Sequence, residues 1–252
     1  MSNGSGRFMF AGHAIGAAAR FHRLDDVDNL DHVVPTLGSS VVPMSGGRSP
    51  AHSDAFRFEV QSPRKLCLMS VQRVDTLAHG RESNGVIETE VSAEVVGLEV
   101  VEKLRCDLVK MHMVATRTNG GEPVVTTTGN RIDGLHLGNV EARVTFDEAP
   151  LISSGHAKHF AAFHSNARKS LATVGDYMRS TIVSNIELIG SDPNISVTDN
   201  VIVWKGFGRI ILGEIHVKAH ERRLTLVRLE MGSDAGGSGE AGGGQTNGQT
   251  GG

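Results

Sequence analysis

Three histidines crowd one short stretch of the sequence, Gly155-His156-Ala157-Lys158-His159-Phe160-Ala161-Ala162-Phe163-His164. Imidazole is a common metal ligand and also carries protons near neutral pH. His156 and His159, three residues apart, lie on one side of a helix and can share a transition-metal ion there. His164 falls at the edge of the apolar stripe of the same helix. The segment lacks the glutamate of a His-Glu-x-x-His zinc motif, and its spacing fixes no third ligand. His156, His159 and His164 are therefore the candidate metal ligands, and no other cofactor is expected.

Other residues with chemical potential are scattered. His112, His136, His216 and His220 can gather on the polar faces of neighbouring strands, where they would support acid–base chemistry or metal binding. The acidic run Asp25-Asp26-Val27-Asp28-Asn29-Leu30-Asp31 misses the spacing of a calcium loop and reads as a solvated turn. Cys67 and Cys106 form no Cys-x-x-Cys pair and read as buried free thiols within strands. A cytoplasmic location is the expectation, since residues 1–19 do not follow the pattern of a secretory signal. Gly-x-Ser-x-Gly, phosphate-binding and dinucleotide glycine loops are missing from usable context, so no catalytic residue is assigned.

The elements that must carry these side chains read mostly as β. In Val86–Val95, Ile87, Thr89, Val91, Ala93 and Val95 share one face while Glu88, Glu90, Ser92 and Glu94 share the other. Period two over that length predicts a half-buried strand of an antiparallel sheet. Ser83-Asn84-Gly85 supplies a tight hairpin turn just before it, which makes residues 65–79 the partner. A second hairpin is predicted from 98–117 through Asn119-Gly120-Gly121 to 124–128. Within 98–117 the apolar parity changes, from Leu104, Cys106 and Leu108 to Val109, Met111 and Met113. One extra residue explains the swap, so a bulge or bend is predicted near Leu108-Val109. Further strands are expected at 132–137, 140–146, 201–204, 209–218 and 223–231. Leu224–Leu229 is apolar on both parities and reads as a central strand covered on both faces. Residues between the first strand and Phe56, with Pro35, Pro43, Pro50 and Ser45-Gly46-Gly47, read as a long loop.

One segment breaks the β pattern. From about 154 to 189, Phe160, Phe163, Ala167, Leu171, Val174, Met178 and Ile182 recur at three and four residues, which predicts one long amphipathic helix. The fold expectation is therefore mainly β, an antiparallel sandwich or barrel with that helix packed on it.

Composition sets the outer bounds. The chain has 252 residues, 25 Lys+Arg against 28 Asp+Glu, and a net charge of −3. That balance, with no basic block, argues against a dedicated nucleic-acid partner. No apolar run approaches the roughly 18 residues of a membrane span. Ten of the 31 glycines fall in residues 232–252, so the expected organisation is one β-rich domain over 1–231 and a Gly-rich C-terminal tail over 232–252.

The phrases Gly-Val-Ile-Glu-Thr-Glu-Val-Ser-Ala-Glu-Val-Val-Gly-Leu (85–98), Ile-Asp-Gly-Leu-His-Leu-Gly (132–138) and Gly-Arg-Ile-Ile-Leu-Gly-Glu-Ile-His-Val (208–217) resemble uncharacterised bacterial β-rich proteins of the choice-of-anchor kind. The resemblance covers about 40 % of the chain and implies a β-rich bacterial protein; it transfers no catalytic residue. Long alternating strands without a recognisable site lead to the first functional expectation, a structural or self-assembling protein whose partner is another copy of itself. The alternatives are a His-dependent metal protein or enzyme, and a small-ligand-binding β-barrel closed by the helix.

Overall fold

Apolar residues at alternate positions of many consecutive segments can be buried only by stacking sheets, and two stacked sheets are what this chain forms. The computed structural model describes residues 8–24, 31–61, 65–118, 124–147, 151–152, 172–174, 177–218, 221–232 and 235–247. Every strand pairing among them is antiparallel.

The nine-stranded sheet contains β1 (Gly12–Leu24), β2 (His32–Val41), β14 (Ala172–Val174), β15 (Tyr177–Thr181), β17 (Ile195–Thr198), β18 (Val201–Trp204), β19 (Gly208–Lys218), β20 (Glu221–Met231) and β21 (Ala235–Asn247). Its order is β14-β15-β19-β20-β21-β1-β2, with the β17–β18 hairpin sharing the edge of β19. The twelve-stranded sheet contains β3 (Gly47–Ser53), β4 (Phe56–Val60), β5 (Leu66–Val71), β6 (Arg73–Ser83), β7 (Val86–Val100), β8 (Leu104–Thr118), β9 (Val124–Thr126), β10 (Arg131–Asp133), β11 (Leu135–Leu137), β12 (Val140–Phe146), β13 (Leu151–Ile152) and β16 (Val183–Ile189). Its centre is the β7–β8 pair, with β6 and β5 on one flank and β9, β10 and β11 on the other. A single core lies between the sheets, with Phe21, Leu212, Leu224 and Leu226 from one and Leu68, Met111, Met113 and Leu135 from the other.

The β7 strand follows the expected alternation: Ile87, Val91, Ala93 and Val95 are buried while Glu88, Glu90 and Glu94 look outward. Asn84 and Gly85 turn it back on β6 with φ of 52° and 74°, the left-handed pair of a two-residue hairpin. The β7–β8 turn was not predicted. Val101 and Glu102 both adopt φ near 53°, where a side chain is disfavoured by roughly 1–2 kcal/mol per residue. Two contacts hold them there: the Val101 N–H donates to Leu68 O at 3.0 Å, and Glu102 Oε1 accepts from the Cys67 N–H at 3.1 Å.

The predicted parity change is present. Pairing passes from Val96–Leu108 to Leu98–Cys106 and omits Gly97 and Asp107, so both strands carry one extra residue at the same level. The other sheet has the same feature across five strands. Its pairings skip Gly213 on β19, Leu226 on β20, Gly242 on β21, Gly16 on β1 and Gly38 on β2. A transverse crease thus crosses each sheet. It also corrects the reading of Leu224–Leu229: Leu224 and Leu226 face the core before the crease, Val227 and Leu229 after it, and the outer face holds Thr225 and Arg228.

Three other expectations are corrected. Within the predicted helix at 154–189, the described residues 172–174, 177–181 and 183–189 are strands; residues 153–171 lie outside the described part. The β-branched Val174, Thr181, Ile182, Val183 and Ile186 suit a strand, and the packing of the sheets overrides the helical spacing. The Pro-rich loop is instead β2 and β3, which sit at sheet edges where a missing N–H is tolerated. Finally, Ala235–Asn247 is not an appended tail. It is β21, paired with β20 on one side and β1 on the other.

Candidate functional site

A cluster of interacting charged groups lies on the outer face of the nine-stranded sheet, where β15, β19, β20 and β21 run side by side. Arg179, His216, Arg223, Gln245 and His13 oppose one another in successive pairings, forming a row across the strands. One step along, Glu214 opposes both Thr181 and Thr225. The crease brings Arg228 to the same outer face, where it opposes Ile211 and its side chain reaches along the strand to Glu214.

Glu214 is the centre of this group. Its side chain is only 3 % exposed, covered by the cations around it. Arg179 pairs with Oε1, Arg228 Nε lies 2.8 Å from Oε2, and His216 Nε2 lies 3.1 Å from the same oxygen. Burial alone would raise the Glu214 carboxyl. The hydrogen bond from His216 and the charges of Arg228, His216 and Arg179 overturn that and hold it at about 2. Arg228 reaches on to Glu230, which also receives Arg209 Nη1 at 3.1 Å. Arg223 pairs with Glu240 on β21. Beside them, burial and the Arg223 charge push the His13 imidazole below its ordinary value, against the pull of Glu240 and Glu221.

Chemically, Glu214 is ionised throughout the physiological range. It therefore has no proton to donate as a general acid, and its lone pairs are engaged by cations. What it does is hold Arg179, Arg228 and His216 together on the outer face of the sheet.

The outer face of the other sheet carries a second lattice. Glu88, Glu90 and Glu94 of β7 are flanked by Arg81 at 2.6 Å, His112 at 3.2 Å and Arg73 at 2.7 Å. His79 Nδ1 approaches Glu90 at 3.8 Å from the opposite side to His112. On β3, His52 bridges Asp75 at 2.8 Å and Asp54 at 3.0 Å, and these two carboxylates raise its pKa. Between the sheets, Met69, Leu98, Val100, Val227, Leu229 and Met231 line an apolar void of about 10 Å³, near the size of a single water.

The candidate metal ligands His156, His159 and His164, like His220, lie outside the described residues. Among the described residues, no group of three or more His, Cys, Asp or Glu side chains is arranged to hold a metal ion. His112 and His216 are on outer faces, as expected, but on different sheets. Both cysteines are buried and free; burial pushes the Cys106 thiol up to about 12, and its Sγ donates to Asp133 O at 3.3 Å. The Glu214 cluster was missed. Its signal was the pairing of Glu214-x-His216 with Arg223 and Arg228 on the next strand, and the extra residue at Gly213 and Leu226 concealed it.

The fold defines a class: an all-antiparallel, two-sheet β protein with charged outer faces. Residues 8–159 match the family described as a domain of unknown function (DUF8256), and because this is more than half of the chain, the protein belongs to that family. No curated protein and no solved structure matches the chain. Among the described residues, no helix is long and apolar enough to cross a membrane.

Proposed function

We propose that the protein is a structural building block that self-assembles into a homo-oligomer. The observation that carries this reading is where its exposed apolar side chains lie. Of the six exposed large apolar side chains among the described residues, the four most exposed, Met9, Val33, Val41 and Met44 at 51–71 %, belong to β2 or to the residues adjoining β1 and β2, while Val86 and Val203, each 38 % exposed, lie on β7 and β18. Scattered exposed apolar residues are ordinary, but their collection along one edge region marks a contact surface. Elsewhere the outer faces are occupied by matched ion pairs, which keep those surfaces soluble and give the block a defined shape. Each exposed pair contributes only about 0–1 kcal/mol, so their role is surface chemistry more than stability.

The test is the mass of the purified full chain by light scattering across a range of concentrations. A mass above the 26.8 kDa of one chain, rising with concentration, is expected. A monomer at every concentration would refute the reading.

A further inference from the structure

We propose that the free edge of β16 pairs, antiparallel, with the β16 edge of a second copy of this chain, joining the two twelve-stranded sheets into one. This rests on the reading of the protein as a self-assembling block, and it assigns the strand, the register and the occupant of one contact.

A strand at the edge of a sheet presents backbone N–H and C=O groups that another extended segment can pair, and proteins blunt such edges where pairing is unwanted. Most edges among the described strands are blunted in this way. β2 holds Pro35 and β3 holds Pro50, and each proline removes an N–H that an added strand would need. β4 shifts register between Phe58 and Glu59 and carries the charges of Arg57 and Glu59. β10, β13, β14 and β17 have four residues or fewer. β16 differs from all of these. Its seven residues, Val183–Ile189, contain no proline, lysine or arginine, and from Asn185 to Ile189 they pair with β12 without a shift. Among the described residues no strand pairs with its other side.

The sequence of β16 selects its own copy. A two-fold axis perpendicular to the sheet keeps the core side of one copy on the core side of the other, so opposed residues must share a face and the pairing must be centred on a residue. Ile186 and Leu188 pack against the core, while Asn185 and Glu187 between and beside them are exposed. Centred on Ile186, the pairing sets Ile186 against itself and each Asn185 against the other copy's Glu187. The Asn185 amide then donates to a carboxylate at two symmetric places. Centred on Glu187, the pairing would set two carboxylates opposite each other, which is destabilising. Ile186 is also the midpoint of Val183–Ile189, so its register overlaps the strand along its full length.

The neighbouring strand agrees with this arrangement. On β12, Thr145 opposes Asn185 and Arg143 opposes Glu187. The polar row across the joined edge would read Thr145, Asn185, Glu187, Arg143, with no like charges adjacent. A foreign segment would have to bring both a donor for Glu187 and an acceptor for Asn185, whereas a second copy carries both by symmetry. One edge of this length makes a small interface, so a weak and reversible dimer is expected.

The experiment follows sedimentation of the full-length chain over a range of concentrations, with hydrogen exchange of the β16 amides read on the same samples. Wild type is compared with Asn185→Glu and with the exchanged pair Asn185→Glu, Glu187→Asn. Both positions are exposed, so the variants should fold, as circular dichroism will verify. The expected wild-type result is a dimer whose amides over 183–189 exchange more slowly as concentration rises. Asn185→Glu puts carboxylates face to face twice and should weaken the dimer roughly tenfold or more. The exchanged pair restores the amide–carboxylate match and should recover most of that loss. Association that is unchanged in Asn185→Glu, or that leaves exchange over 183–189 unaltered, would overturn this edge while leaving self-assembly intact. A loss that the exchanged pair fails to recover would overturn the two-fold register. A wild type that is monomeric at every concentration would overturn both this inference and the function on which it rests.

Discussion

Glu214 gathers Arg179, His216 and Arg228 around one nearly inaccessible carboxylate, and such a group links stability to pH. Its folded carboxyl titrates at about 2, against 4.5 for an unperturbed glutamate. A depressed carboxyl contributes stability that is fully present above pH 4.5 and is lost as pH falls toward 2. Replacing it by Glu214→Gln leaves the Arg179 and Arg228 guanidiniums without the carboxylate that holds them, and breaking a buried pair in this way costs about 3–5 kcal/mol. Denaturant melts at neutral pH should show a loss of that order. Between pH 4.5 and 2 the variant's remaining stability should change less than the wild type's; parallel acid curves for the two proteins would assign the acid sensitivity to other groups. Little of this site was legible beforehand. The histidines at 156, 159 and 164 drew attention because they are adjacent in sequence, whereas the charges around Glu214 come from three strands and meet only after folding. By contrast, the buried free state of Cys67 and Cys106 was readable, because an apolar alternating strand dictates burial by itself.

At the scale of elements, the creases explain both what the sequence disclosed and what it concealed. Alternation in β7 and the turn at Asn84-Gly85 are local signals, and each led to the observed hairpin, although the partner expected at 65–79 is divided into β5 and β6, of which β6 (Arg73–Ser83) forms the hairpin. A local parity change in β8 likewise revealed its extra residue. On β20 the same device imitated a strand buried on both faces, since a single strand does not show that its neighbours shift in step. Glycine is the material of the crease. Gly242 adopts φ +64°, and its neighbour on β1, Gly16, lies against Val74 from the facing sheet. A Cβ on Gly16 would come within 1.9 Å of Val74 Cγ1 and 2.7 Å of the Leu37 carbonyl oxygen, which cannot move independently. Gly16→Ala is therefore expected to destabilise by about 3 kcal/mol, the upper range for overpacking a core. Gly243→Ala adds the same methyl group where the nearest atom is 3.8 Å away, and by restricting the unfolded chain it should be neutral or stabilise by up to about 1 kcal/mol. Thermal melts of the two variants check the contrast. Equal effects would mean that the sheets have slack to separate at the crease, and that glycine there serves another purpose.

For the whole molecule, the decisive feature is that its first and last described strands are neighbours. β1 and β21 pair at eleven positions, from Gly12–Thr246 to Leu24–Ala235, joining residues more than 200 apart in the chain. The Gly-rich composition that reads as a flexible appendage is what the centre of this sheet requires. A Cβ at Gly244 would lie 2.3 Å from Met111 Cε and 3.0 Å from Val91 Cγ2, so the long side chains of β7 and β8 fill the space that β21 leaves empty. Composition conveys glycine's weak strand preference but not the complementary bulk on the opposite sheet, which is why the role of this segment became visible only in three dimensions. Deleting residues 233–252 thus does not trim an end. It removes the strand between β20 and β1, frees both their edges, and strips the cover from Met111, Val91 and Val109. A chain stopped at Gly232 should show no cooperative thermal transition and should bind a hydrophobic dye, while the full chain melts sharply. Supplying the missing segment as a synthetic peptide should restore part of the transition if the strand slots between its two neighbours. A truncated chain that melts as cooperatively as the full protein would show that β20 and β1 hold the sheet without it, and that closure of the two ends is dispensable to the fold.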